Sequence, residues 1–179
     1  NPRSKNMITQ EKLALLVEQT QEVAKEVGAF IRKERQHFDV KKVEHKGFND
    51  LVSYVDKEAE RQIVDRLSVI FPEAGFITEE GTNSTKGEIY NWVIDPLDGT
   101  KEFIARNGQF TVNIALVQQG RPLLGVVHVP TSDTTYLGVL AAQQALLGQQ
   151  VLAEEAPKRR EPVAPLRQHH AVALDGDRA

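Results

Sequence analysis

One short acidic segment constrains the fold of this chain more than any other feature of the sequence. In residues 92–100, WVIDPLDGT, an apolar strand candidate runs directly into two carboxylates three residues apart, Asp95 and Asp98. Pro96 favours an extended conformation for the residue before it, and Gly99 permits a turn with positive φ. We therefore expect both carboxylates to converge just beyond the strand end. Two ionised carboxylates ~4 Å apart repel each other by about 4 kcal/mol at an effective dielectric constant of about 20, so they need a cation or a proton between them.

The chemistry of this segment indicates a hard cation. It offers oxygen ligands and the chain contains no cysteine, which favours Mg²⁺ over Mn²⁺ or Ca²⁺ and excludes a thiolate zinc site. The main-chain carbonyl of Leu97 is a further candidate ligand. If a helix begins after Gly99, its free N–H groups would face an anion, most naturally a phosphate.

Other acidic residues could join this pair at one edge of a sheet. Glu79 and Glu80 follow a short strand candidate, and Asp56 stands at the head of the second predicted helix. Each motif also has a simpler interpretation. Asp-Pro and Asp-Gly are common turn dipeptides, a Glu-Glu pair is often solvated, and an Asp at a helix start is often an N-cap. The acidic segment at 95–98 has one more interpretation besides a Mg²⁺ site and an ordinary surface turn, namely a calcium-binding turn in a structural domain.

Hydrophobic periodicity divides the chain into helices followed by strands. Apolar residues recur on one helical face in 9–36, where Thr9 is a candidate N-cap, and again in about 55–70, which Pro72 closes. The pattern then changes to strands, at 75–78, 90–94, 110–117, 123–129 and 134–140, with a hairpin turn at 118–121. The predicted fold class is α+β, with two N-terminal helices packed on one face of a mainly antiparallel sheet.

Length and composition favour a globular protein with one main domain. We expect an N-terminal tail at 1–8, a metal-binding domain at 9–145 and an atypical tail without periodicity at 146–179. The net charge of -3 provides no basic field for nucleic acid. No run approaches the ~20 apolar residues of a membrane span, and no secretory leader is visible. We therefore expect a cytoplasmic protein without nucleic-acid or membrane partners.

The acidic segments together resemble those of a known family. The string D-P-L-D-G-T at 95–100, with E-E-G-T at 79–82 and D-L-V-S-Y-V-D at 50–56, is similar to the inositol monophosphatase superfamily. Its members are Mg²⁺-dependent, lithium-sensitive phosphatases of small phosphate monoesters, with a layered α/β fold. Residues 98–117 resemble the 3'(2'),5'-bisphosphate nucleotidase branch, whereas 47–94 resemble bacterial inositol monophosphatases. The resemblance implies adenosine 3',5'-bisphosphate or an inositol phosphate as substrate.

The resemblance also implies a role for each motif residue, carried over by position. The metal ligands would be Glu79, Asp95, the carbonyl of Leu97, and Asp98. The phosphate would be bound by the amides of Gly99 and Thr100. The attacking water would be positioned or activated by Asp56, Glu80 and the hydroxyl of Thr100.

Family members are considerably longer, and their second α/β domain supplies a further metal-binding Asp in a Trp-Asp motif. Trp92 is the only tryptophan of this chain, so it has no such motif after residue 130. Family members bind two or three Mg²⁺ ions, and we therefore expect a truncated first domain in which one of these ions is held weakly. This leaves open an alternative to catalysis, in which a catalytically incomplete relative serves as a metal-binding module or forms a homodimer.

Overall fold

Long helices precede a five-stranded sheet in the part of the chain that the structure describes. The structure, a computed structural model, describes residues 7–37, 48–105 and 107–140, with the backbone alone at 48–53 and 104–105. Its elements are the helices α1 (Gln10–His37), α2 (Phe48–Ile70) and α3 (Thr100–Ala105) and the strands β1 (Gly75–Thr78), β2 (Tyr90–Asp98), β3 (Thr111–Gln118), β4 (Arg121–Val129) and β5 (Thr134–Val139). The tails predicted at 1–8 and 146–179 lie largely or wholly outside the described residues.

The strands of the sheet lie in chain order, β1-β2-β3-β4-β5. β1 and β2 are parallel and the other neighbours are antiparallel, so the predicted α+β class with a mainly antiparallel sheet is confirmed. The predicted hairpin is β3–β4, and its turn residues Gln119 and Gly120 both have positive φ, as tight hairpin turns require. The sequence does not predict that β1 and β2 are parallel, because side chains alternate in the same way in parallel and antiparallel pairs.

Helix α1 starts as predicted and covers one face of the sheet. The N–H of Lys12 donates to Thr9 Oγ1 at 3.2 Å, which confirms Thr9 as the N-cap. The helix buries its apolar face against α2 and the sheet: Leu13, Leu16, Val17, Ala24, Val27 and Ile31. None of the described helices is long and apolar enough to cross a membrane.

The two faces of the sheet differ in what covers them. The face toward the helices contributes buried side chains to the core: Trp92, Ile94, Ile114, Leu116 and Val126. Alternation along each strand places the intervening residues on the other face. Its large apolar side chains are exposed: Ile77, Val93, Val127 and Tyr136.

Helix α2 begins at Phe48, earlier than the start predicted near residue 55. No glycine or proline interrupts 48–54, so the helix extends through residues that the prediction left outside it. Asp56 consequently lies inside the helix, and its interpretation as an N-cap is wrong. The helix ends at Ile70, before Pro72, as predicted.

Strand β2 runs through the acidic segment to Asp98, whereas the prediction ended it at residue 94. Asp95 pairs with Asn113 and Asp98 with Thr111, so three steps along β2 match two along β3. This is a β-bulge, where Pro96 is tolerated because not every N–H is needed. The two aspartates therefore lie in the last residues of the strand, not beyond it.

A buried histidine determines how closely α1 approaches β4. His128 is fully buried, and its Nδ1 lies 2.9 Å from Thr135 Oγ1. Its ring lies against Gly28 of α1, where a Cβ would stand 2.6 Å from the ring Cδ2 and 2.8 Å from Nε2. Burial lowers the pKa of His128. A neutral imidazole thus fills the space that the missing side chain of Gly28 leaves.

We expect Gly28→Ala to lower the free energy of unfolding by about 1–2 kcal/mol. The clash with His128 costs about 1–3 kcal/mol by overpacking, which the better helix propensity of alanine offsets by up to ~1 kcal/mol. Urea denaturation measures the change. Gly138→Ala is the control, because its Cβ would meet nothing within 4 Å. Equal or higher stability of Gly28→Ala would contradict this account of the contact.

Candidate functional site

The carboxyl ends of β1 and β2 meet at one edge of the sheet. Thr78 is level with Ile94, and the N–H of Glu79 donates to the carbonyl of Ile94 at 3.3 Å. Because the two strands are parallel, the residues that follow β1 stand beside the end of β2. Glu79 is thereby placed next to Asp95, although the two residues are far apart in sequence.

Asp95 and Glu79 form a hydrogen-bonded pair of carboxyl groups. Burial, the hydrogen bond to Glu79 and the charges of Glu79 and Asp98 together raise the pKa of Asp95 to about 7. The N–H of Leu97 also donates to Asp95 Oδ1, at 3.2 Å. A hydrogen bond between two carboxyl groups requires a proton on one of them. Two carboxyl groups this close need a cation or a shared proton between them, which is the condition that the sequence sets for this segment.

Asp56 approaches the same edge from α2. Its side chain is buried, with 7% of its surface exposed. Burial raises the pKa of Asp56 to about 7, and the charges of Glu80, Asp95, Glu79 and Glu60 contribute in that order. One helix and two strand ends thus bring carboxylates from three separate segments into electrostatic contact.

Glu80 is held in place by Glu60, which sequence reasoning missed. Glu60 is fully buried in α2. Its Oε2 accepts the N–H of Glu80 at 2.7 Å, and its Oε1 accepts the N–H and the hydroxyl of Thr82 at 2.9 and 2.8 Å. Burial and the charges of Glu60 and Glu79 raise the pKa of Glu80, and the opposing effect of Lys57 is smaller. Glu79 is exposed and Glu80 is half-buried, so this segment is solvated in part, but its backbone is bound to a buried carboxylate.

The sequence does contain a signal for Glu60. Residues 56 and 60 are one helical turn apart, and both lie on the stripe of α2 that buries Ala59, Ile63 and Leu67. Two acids on a buried helical stripe need partners, because an unpaired buried charge is strongly destabilising. The stripe alone, however, does not say which backbone groups those partners are.

The remaining site candidates lie around the bulge of β2. The carbonyl of Leu97 accepts the hydroxyl of Thr100 at 3.3 Å. Asp98 is exposed, and its Oδ2 accepts the side-chain amide of Asn113 at 3.2 Å. Asp95 is paired with Glu79, and Asp98 accepts from Asn113, but the charge of Asp98 still contributes to the raised pKa of Asp95. Their convergence on a single cation stays a prediction.

Gly99 joins β2 to α3 in the conformation that the sequence predicts. Its φ is 91°, and a Cβ there would stand 2.8 Å from the carbonyl oxygen of Gln109. Helix α3 begins at Thr100, directly after the glycine, and the N–H of Phe103 donates to the carbonyl of Gly99 at 2.9 Å. The predicted helix after the acidic segment is therefore present, with six residues.

The donor atoms at this edge of the sheet suit a hard divalent cation, although the described side chains are not arranged as a complete coordination site. Among the residues that the structure describes, no three His, Asp or Glu side chains are grouped so that they could hold a metal ion. The donors are all oxygens, however, and burial together with neighbouring acids raises the pKa of Asp56 and of Asp95. A cation would relieve that repulsion, and an all-oxygen set suits Mg²⁺.

The raised pKa of Asp56 predicts that its carboxylate destabilises the fold at high pH. A carboxyl whose pKa is about 7 when folded and about 3.9 when unfolded contributes stability below about pH 4 and loses it as the pH rises through 7. In EDTA, we expect Asp56→Asn to exceed the wild type by at least ~1 kcal/mol at pH 8, and by less at pH 5.

Urea denaturation of both proteins at the two pH values gives this difference directly. The control is Asp65→Asn, which removes an exposed carboxylate on the same helix. The same stability difference for Asp56→Asn at pH 5 and pH 8 would show that Asp56 is ionised throughout.

Comparison with known proteins relates the chain to one family over most of its length. The model of the inositol monophosphatase family matches residues 12–174. The 3'(2'),5'-bisphosphate nucleotidase CysQ of Escherichia coli (strain K12) is 44% identical over 94 residues, which are 51% of this chain and 38% of CysQ. The fructose-1,6-bisphosphatase/inositol-1-monophosphatase of Aquifex aeolicus is 41% identical over 96 residues, 54% of this chain and 36% of that protein.

Comparison with solved structures relates the fold of this chain to those of known proteins. The extragenic suppressor protein suhB from Bartonella henselae matches with a TM-score of 0.59 and 28% sequence identity, over 69% of this chain and 48% of that one. The chain spans little more than a third of the two curated relatives in these matches. Since the family model covers nearly all of its residues, this chain belongs to the inositol monophosphatase family.

Proposed function

We propose that this chain contributes the metal-binding part of a Mg²⁺-dependent phosphatase that hydrolyses small phosphate monoesters. The observation that carries the proposal is the hydrogen-bonded pair of Glu79 and Asp95 at a sheet edge, with buried Asp56 beside it. Three acids from separate segments at one edge favour a site for a cation, because like charges held together repel one another until a cation lies between them. Membership of a family of phosphatases supports the reaction class.

The proposed ligands are oxygens from both strand ends. Glu79, Asp95, the carbonyl of Leu97, and Asp98 would hold Mg²⁺. The bound cation would supply an activated water and stabilise the developing negative charge of the leaving oxygen. Asp98 already accepts a hydrogen bond from Asn113, which orients its carboxylate. A cation between Glu79 and Asp95 would offset the repulsion between their carboxylates.

The other motif residues would handle the substrate and the water. Asp56, Glu80 and the hydroxyl of Thr100 are the groups that we propose to position the attacking water. A carboxyl with a pKa of about 7, as in Asp56, can accept a proton near neutral pH. The amides of Gly99 and Thr100 would bind the phosphate.

For the substrate we propose adenosine 3',5'-bisphosphate, with an inositol phosphate as the second candidate. Residues 98–117 carry the pattern of the nucleotidase branch, and the relative CysQ, a 3'(2'),5'-bisphosphate nucleotidase, is 44% identical over 94 residues. The relative from Aquifex aeolicus is a fructose-1,6-bisphosphatase/inositol-1-monophosphatase, which supports an inositol or sugar phosphate as the alternative substrate. We expect this activity to be cytoplasmic and sensitive to Li⁺.

Mg²⁺ binding tests the proposed site. Titration calorimetry should detect Mg²⁺ binding by the wild type, and Asp95→Asn should weaken it by more than about tenfold, because removal of even an indirect ligand costs that much. Asp65→Asn is the matched control, since it removes an exposed aspartate outside the site. Unchanged affinity in Asp95→Asn would falsify the assignment. Phosphate release from both candidate substrates, with and without Li⁺, then measures turnover and identifies the branch.

A second candidate function is association with another copy of this chain. The exposed apolar side chains of Ile77, Val93, Val127 and Tyr136 share the sheet face that the helices leave uncovered, and such a patch is typical of an interface. Under this proposal the chain is a non-catalytic module that dimerises. Sedimentation velocity should then show association that rises with concentration and is lost in Val127→Lys but not in Val69→Lys, a change at another exposed valine. A strictly monomeric wild type would contradict it.

A further inference from the structure

We propose that Glu60 is a positioning residue of this site, which fixes residues 79–82 so that Glu79 meets Asp95 and Glu80 faces Asp56. The inference rests on the proposed function, since it gives Glu60 a part in cation binding. It adds a residue that lies outside the family motifs identified in the sequence. Glu60 itself is too deeply buried to meet substrate, with 0% of its surface exposed.

Within the described part of the chain, the hydrogen bonds of Glu60 go to one turn. Both of its carboxylate oxygens accept main-chain N–H groups, from Glu80 at 2.7 Å and from Thr82 at 2.9 Å, and the hydroxyl of Thr82 adds a third bond at 2.8 Å. Such donors are what make a buried carboxylate tolerable. The same bonds restrain the backbone on both sides of Gly81.

The conformation of the turn explains why a carboxylate suits it. Gly81 has a φ of 72°, and its neighbours direct their N–H groups toward the same anion. A residue with positive φ between neighbours whose N–H groups point the same way forms a concave anion-binding arrangement of the backbone. Here the anion is a side chain of the protein, so the turn is held to α2. Without Glu60, the described anchors of this segment would be the bond from Glu79 N–H to Ile94 and that from Thr78 to Asn83.

Helix α2 then sets the spacing of the whole acidic group. Asp56 and Glu60 are neighbours on one helical face, about 5–6 Å apart at Cβ. Asp56 is thereby held at a fixed distance from the turn that Glu60 binds. One rigid helical turn therefore positions Asp56 directly, and it positions Glu79 and Glu80 through the backbone of their turn. Residues outside the coordination sphere orient metal ligands in this way.

The test compares variants of the whole chain by Mg²⁺ affinity and by amide exchange. Glu60→Gln keeps the size of the side chain but loses one acceptor oxygen. We expect it to weaken Mg²⁺ binding by about 10–100-fold and to speed exchange of the Glu80 and Thr82 amides in NMR spectra. Glu58→Gln is the matched control, because Glu58 lies on the same helix and bonds to Arg61 and Gln62 instead.

Substitutions of Thr82 keep the test decisive if Glu60→Gln does not fold. Thr82→Val removes one of the three bonds at an exposed position, so a smaller loss of affinity is expected, and Thr82→Ser should restore the wild-type value. A merely structural role predicts a lower melting temperature with unchanged Mg²⁺ affinity, and that result would overturn the proposal. A wild type that binds no Mg²⁺ would instead overturn the proposed function, and this role with it.

Discussion

The parallel pairing of β1 with β2 is the constraint on which the candidate site depends. It brings the carboxyl ends of both strands to one edge, so that Glu79 and Asp95 can share a hydrogen bond. The chain makes this possible by returning along the outer edge of β1, where the carbonyl of Thr85 accepts the N–H of Phe76 at 2.8 Å. A Cβ on Gly75 would stand 1.9 Å from the nitrogen of Gly87. That close backbone contact therefore requires the small residue.

The acids of this edge divide into two electrostatic classes. Asp56 is buried and Asp95 half-buried beside like charges, and their pKa values are raised to about 7. Glu60 is buried more deeply, but three donors satisfy its carboxylate. The first class destabilises the fold once ionised, whereas the second holds the turn in place. Acids whose presence weakens the fold are typical of functional sites, since their placement has no benefit for packing.

Much of the fold follows from local patterns in the sequence. Thr9 caps α1 and the Gln119-Gly120 turn closes the β3–β4 hairpin, because capping and tight turns need particular residue types. The start of α2 at Phe48 and the bulge of β2 do not follow. Polar residues are tolerated both in a cap and in a helix, and a bulge depends on the register with β3, which no residue of β2 encodes.

The site could be predicted as a set of segments but not as a geometry. The motifs identify Glu79, Asp95 and Asp98, yet only the register decides that Asp95 bonds to Glu79 while Asp98 bonds to Asn113. The buried stripe of α2 marks Glu60 as an acid that needs partners, but it does not identify them, because its three donors belong to a turn some twenty residues along the chain. Long-range hydrogen bonds to backbone groups leave no periodic trace in a sequence.

The most direct test of the central claim is anomalous diffraction from crystals soaked in Mn²⁺, which can replace Mg²⁺ at an all-oxygen site. We expect an anomalous peak between the carboxylates of Glu79 and Asp95, with their mutual hydrogen bond replaced by contacts to the ion. An intact Glu79–Asp95 hydrogen bond, with no peak at that edge of the sheet, would contradict it.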